Sequence, residues 1–111
     1  MNKNYYYKNY PEIAQAMKVH NTINSNPKFT LVDFNILCIV KSFNDSGSNC
    51  YISNDQLANQ LISCEKTIRT SINRLCKAGF LEKQAAIKGR CLICKEEKIA
   101  AFIQEMQHEN N

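Results

Sequence analysis

Leu57-Ala58-Asn59-Gln60-Leu61-Ile62-Ser63-Cys64-Glu65-Lys66-Thr67-Ile68 is the stretch on which the fold turns. Leu57, Ala58 and Leu61 recur at the spacing of one helix face. The pattern breaks over Ile62, Ser63 and Cys64, and Ile68, Ile72 and Leu75 take it up again at four- and three-residue steps. Two short helices meeting at a tight corner are therefore expected, with the small Ala58 letting their backbones approach closely. Ser53 stands upstream where a side-chain oxygen would satisfy free amides at a helix start, and Asp55 suits the positive end of that helix. Downstream, Gly79 is placed to end the second helix of the pair in a left-handed conformation.

Working outward, Cys50 to Ile52 form a short strand-like run, preceded by turn-forming residues from Asn44 to Asn49. Before them, Thr30 followed by Asp33 marks a helix start, with Leu31, Phe34, Leu37 and Cys38 at helical spacing. Pro11 opens an earlier helix carrying Ile13, Met17 and His20, which ends by the turn from Asn24 to Pro27. Residues 1–10, with Tyr5, Tyr6, Tyr7 and Tyr10, have no apolar periodicity and read as a flexible arm. On the other side, residues 80–87 and 90–95 read as two strands joined by the two-residue turn Lys88-Gly89. Residues 96–108 then place Ile99, Phe102, Ile103 and Met106 on one helical face.

A chain of 111 residues, 44% hydrophobic and 22% charged, is ordinary for one folded domain and far from the composition of disorder. The longest apolar runs fall well short of the roughly 18 residues of a membrane span, and the start has no signal-peptide core, so a cytoplasmic location is expected. The six cysteines are then expected to be reduced and mostly buried. Cys91 and Cys94 have the spacing of a metal or redox pair, but in a strand residues three apart face opposite sides. His20 and His108 lie near opposite ends, and neither a Gly-rich phosphate loop nor a nucleophile motif occurs. No enzymatic activity, metal, cofactor or small-molecule substrate is expected.

The order helix, short strand, helix, turn, helix, hairpin, helix, with Leu57 to Ile68, Ile72-Asn73-Arg74-Leu75 and Ala78-Gly79-Phe80-Leu81, resembles the winged helix-turn-helix. It is similar to the signature shared by bacterial regulators and the N-terminal domains of plasmid or phage replication initiators, over Thr30 to Lys95. The resemblance implies an α+β, mainly α fold: a three-helix core, a β-hairpin wing, and a leading and a C-terminal helix. Residues 11–108 form that single domain, with the helix-turn-helix at 54–78, the wing at 80–95 and the last helix at 96–108. It also implies double-stranded DNA as the partner, with residues 64–78 as the helix in the major groove. The turn departs from the family, where glycine, an apolar residue and serine are usual. Ile62 disfavours a positive φ, so a reshaped corner is expected, with the N-cap on Ser63 in place of Cys64.

From Lys66 to Lys95 there are eight basic residues and one acid, a local excess of +7 that leaves −3 for the rest of a chain of net charge +4. At about 100° per residue, Lys66, Thr70, Asn73 and Lys77 lie opposite Ile68, with Arg69 and Arg74 flanking. Lys66, Arg69, Thr70 and Asn73 are the expected base-edge contacts, since Lys and Arg reach guanine acceptors and Asn reads adenine. Thr67 and Arg74 are expected on phosphates, with helix-start amides near Ser63 adding another. Lys83, Lys88 and Arg90 are expected to bring the wing to the adjacent groove or backbone. The function expected is that of a DNA-binding regulator or an accessory factor in plasmid, phage or mobile-element replication or conjugative transfer. The alternative is a winged-helix protein-interaction module in such a complex. The apolar stripe of residues 96–108 suggests a homodimer through the last helix, or completion of the monomer core.

Overall fold

The structure is a computed structural model that describes residues 5–87 and 89–109. Helices α1 (Tyr5–Asn9), α2 (Pro11–Ile23), α3 (Leu31–Asp45), α4 (Asn54–Gln60) and α5 (Glu65–Lys77) precede a hairpin of β1 (Leu81–Ala85) and β2 (Arg90–Cys94). Helix α6 (Glu96–Glu109) follows. The mainly helical fold with one antiparallel hairpin is the architecture the sequence pattern predicts.

Helix α3 is the centre of the molecule, because its apolar residues cover more than one face: Ile36, Leu37, Cys38, Ile39 and Val40 are all buried. Leu57 of α4, Ile68, Ile72 and Leu75 of α5, Leu81 and Leu92 of the hairpin and Ile99 of α6 join it in one core. Local chemistry fixes where these helices start. Thr30 Oγ1 accepts the Asp33 N–H at 3.1 Å while Asp33 Oδ2 accepts the Thr30 N–H at 2.8 Å. Ser53 and Gln56 repeat this reciprocal box at the start of α4, at 3.1 and 2.9 Å. Each such cap contributes about 1 kcal/mol.

Two helices end in the same way. At the end of α5 the Gly79 N–H donates to Cys76 O and the Phe80 N–H to Leu75 O, both at 3.0 Å, with Gly79 at φ +88°. At the end of α4 the Ile62 N–H donates to Asn59 O at 3.4 Å and the Ser63 N–H to Ala58 O at 2.9 Å, with Ile62 at φ +51°. The corner is therefore not reshaped as expected. Ile62 takes the left-handed position that glycine usually fills, held there by the two closing hydrogen bonds, and its side chain is 94% exposed. With Ser63 used in closing α4, the N-cap of α5 falls on Cys64 and not on Ser63, and the Ile68 N–H bonds to Cys64 O at 3.1 Å.

In the hairpin, Leu81, Lys83 and Ala85 stand opposite Cys94, Leu92 and Arg90. Leu81, Leu92 and Cys94 are buried, so this face of the sheet looks inward. Cys91 pairs with Gln84 and lies on the other face from Cys94. The strands are shorter than predicted. The ladder stops at Ala85 and Arg90, beyond which the Ala86 N–H donates to Gly89 O at 3.3 Å. Ile87, predicted at a strand end, is fully exposed and has no packing to hold it in a ladder. Cys50 adds a single bridge to Leu92, where a short strand was expected, with the Leu92 N–H donating to Cys50 O at 2.9 Å.

At the ends of the domain one further expectation is corrected. Residues 5–9, read as part of a flexible arm, form α1, because Tyr6 is buried in the main core and the Tyr10 N–H continues the helix to Tyr6 O at 2.8 Å. Tyr10 is part-buried, and its hydroxyl donates to Asp45 Oδ2 at 3.4 Å. The apolar stripe of α6 packs against the monomer core, one of the two uses expected of it. Met106 packs with Ala16 and Val19 of α2, Phe102 and Ile103 lie partly buried against them, and Ile99 is in the main core. An aromatic cluster extends that seam. The Phe102 ring lies 4.8 Å from Phe80 and 5.9 Å from Phe29, and His20 lies 4.9 Å from Phe29. His20 Nε2 faces Pro27 O at 2.9 Å; a carbonyl only accepts, so the ring donates there. Among the described residues no helix is long and apolar enough to cross a membrane.

Candidate nucleic-acid interface

The buried side of α5 consists of Ile68, Ser71, Ile72 and Leu75. That choice of inner face turns Lys66, Thr67, Arg69, Thr70, Asn73 and Lys77 outward, and all six are exposed. They span the helix from its first turn to its last, so the surface is a strip of cationic and neutral hydrogen-bonding groups about as long as the helix. Strand β1 runs beside this strip. Lys83, exposed, donates from Nζ to Asn73 Oδ1 at 3.2 Å and so joins the wing to the outer face of α5. Glu82, the one acid of the basic segment, pairs with Lys95 at 3.7 Å within the hairpin.

Arg74 does not belong to that strip. Its Nη1 lies 2.7 and 2.9 Å from the two oxygens of Asp33, which is wholly buried. Asp33 also accepts the Ser71 hydroxyl and, through its capping role, the Thr30 N–H. One carboxylate thus starts α3 and holds α5 across it. A buried charge is tolerated only when paired and hydrogen-bonded, and here every donor around Asp33 is supplied. This strut sets how α5 sits on the core. Sequence reasoning saw Asp33 only as a helix-start residue, since Ser71 and Arg74 lie about forty positions away along the chain.

Arg90 is similarly committed. It is half-buried and donates to Ile52 O and to Asn54 Oδ1, which ties β2 to the start of α4. Burial lowers its pKa, but a guanidinium remains charged throughout the accessible range. Arg90 therefore sets the angle of the wing against the helix pair. Lys88 lies outside the described residues.

Ser63 is half-buried in the turn, its N–H spent on Ala58 O. Cys64, which replaces it as the N-cap, is exposed, and its Sγ lies 3.2 Å from Thr67 Oγ1. The Thr67 hydroxyl, and after it the Thr67 amide, hold this thiol below its ordinary pKa. Thr67 is thus partly engaged by Cys64. The other thiols differ: burial pushes Cys38, Cys50 and Cys76 up, and Cys94 up to about 12.

A helix-turn-helix domain family matches residues 30–81. No curated protein and no solved structure matches the chain. The matched span begins at the Thr30 cap, contains α3, α4 and α5, and ends at the first residue of β1. Residues 30–81 are thus similar to the helix-turn-helix domain family, and with the hairpin that follows the fold is that of a winged helix-turn-helix.

Proposed function

We propose that the protein binds double-stranded DNA, with α5 in the major groove and the hairpin against the flanking backbone. The observation that carries this reading is the outer face of α5. Lys66, Arg69, Thr70, Asn73 and Lys77 are exposed together with Lys83 beside them, while the apolar residues and Arg74 are turned to the core. Such a face offers donors to base edges and charge to phosphates. Lys66, Arg69, Thr70 and Asn73 are the base-edge candidates. Lys77, with Thr67 and the amides that follow Ser63, is assigned to the backbone. Arg74 and Arg90 are assigned to positioning α5 and the wing, and Lys88 to nonspecific affinity.

A winged domain of this kind serves as a regulator, or as an accessory factor that marks a site of replication or transfer. Both roles need the same contact face.

Selection of bound sequences from a random duplex library tests the reading. A defined preferred site is expected, and Lys66→Ala or Arg69→Ala should weaken that site selectively while leaving nonspecific duplex binding within a few-fold. Equal binding by wild type and both variants would refute the contact face. Absence of any duplex binding at low salt would leave a protein-interaction module as the better account.

A further inference from the structure

The contact between Lys83 and Asn73 crosses from the wing to the reading helix. Lys83 is on the inward face of β1, in register with Leu81 and opposite Leu92, so its stem leaves the sheet toward α5. Its Nζ reaches Asn73 Oδ1 at 3.2 Å. Its charge also bears on the Cys76 thiol, one turn further along α5. An ammonium only donates. Lys83 therefore holds the oxygen edge of the carboxamide toward the wing. Asn73 Nδ2, which has no protein partner among the described residues, is left as the free edge.

Left alone, an asparagine carboxamide offers an acceptor and a donor side by side, which complements adenine, with its N6 donor next to its N7 acceptor. Paired with Lys83 it offers something else. The Asn73 Nδ2 hydrogens and the two remaining N–H groups of Lys83 form a donor-only surface. In the major groove, guanine is the base that presents two adjacent acceptors, O6 and N7, whereas adenine would set its own amino group against these donors.

Building on the DNA-binding reading, we propose that Lys83 is a positioning residue that converts Asn73 from an adenine reader into a guanine reader. Removing the ammonium frees the carboxamide to turn over, and the preference at that base pair moves from guanine to adenine.

The test is selection from a random duplex library with wild type, Lys83→Met, Lys83→Arg and Asn73→Ala. Asn73→Ala identifies the base pair concerned as the one whose preference it flattens. Wild type is expected to favour guanine there. Lys83→Met should shift the guanine-to-adenine ratio toward adenine by about tenfold, the size of one good base contact, and Lys83→Arg, which keeps a donor-only group, should retain guanine. Preferences at the other positions report whether the variant still folds and docks. Lys83→Met with the wild-type preference at that pair overturns the inference, as does an equal loss of preference at every position, which marks a general backbone contact. A wild-type protein that selects no sequence overturns the DNA-binding reading and this inference with it.

Discussion

Replacing Arg74 with methionine separates a structural arginine from Arg69, proposed to contact DNA, on the same basic helix. Methionine keeps the unbranched stem and a good helix propensity, so the change removes the charge and its hydrogen bonds and little else. It leaves Asp33, which is 0% exposed, with the Thr30 N–H and the Ser71 hydroxyl but no cation. Breaking a fully buried pair costs roughly 3–5 kcal/mol. The Arg74 side chain is 27% exposed, so water replaces part of what is lost, and a cost of about 2–3 kcal/mol is expected. For a chain of this size that lowers Tm by about 10 °C. The chain has no tryptophan, so urea unfolding is best followed by far-UV circular dichroism. Adding Asp33→Asn to Arg74→Met should recover about 1 kcal/mol by removing the orphaned charge. Arg69→Met, on the exposed face, should leave stability within about 0.5 kcal/mol and weaken DNA binding. Unchanged stability in Arg74→Met, together with reduced DNA affinity, would refute the strut and return Arg74 to the backbone contacts.

Three further outcomes follow from local chemistry. Ile62→Gly should stabilise the protein by about 0.5–1 kcal/mol. Relief of roughly 1–2 kcal/mol of left-handed strain outweighs the added backbone entropy of glycine, and an exposed side chain gives up little burial; a destabilised variant in the same urea assay would contradict the turn. Under reducing conditions the protein should lose about 2–3 kcal/mol between pH 8 and pH 10, with Cys38 and Cys94 the principal source. Their pKa values are raised by burial, so the unfolded chain releases these protons first and stability falls as pH rises past the ordinary thiol value of 9.0. A flat profile over that range would contradict the buried thiols. Alkylation of the native protein should show one fast thiol, absent in Cys64→Ser, titrating below the usual thiol range because Thr67 favours its thiolate. A preferred duplex should slow it, and several thiols reacting at similar rates would contradict the assignment.

Much of the fold was legible because it rests on local rules. The Thr30 and Ser53 caps, the Gly79 ending and the helical spacing through Ile68, Ile72 and Leu75 each require only residues within a turn or two. Ile62 was legible as a conflict but not as a solution. Whether the corner bends around an unsuitable residue or forces it into φ +51° depends on closing bonds to Ala58 and Asn59 that composition does not weigh. The candidate site was legible as a face but not residue by residue. Arg69 and Arg74 are alike on a helical wheel, and what distinguishes them is Asp33 on another helix. Arg90 was separated from Lys83 in the same way, by Ile52 O and Asn54 at the start of α4. Tyr6 escaped because a helix of five residues is too short to show a period.

The salt dependence of binding tests whether the outer face of α5 meets the phosphates and bases of a duplex. Fluorescence anisotropy of a labelled preferred duplex, titrated with protein from 50 to 300 mM salt, should give a log–log slope of about −3 to −4, as for four neutralised phosphates. Lys77→Ala should reduce that slope by about 1. A slope near zero, or one that Lys77→Ala leaves unchanged, would contradict the assignment of this face to DNA.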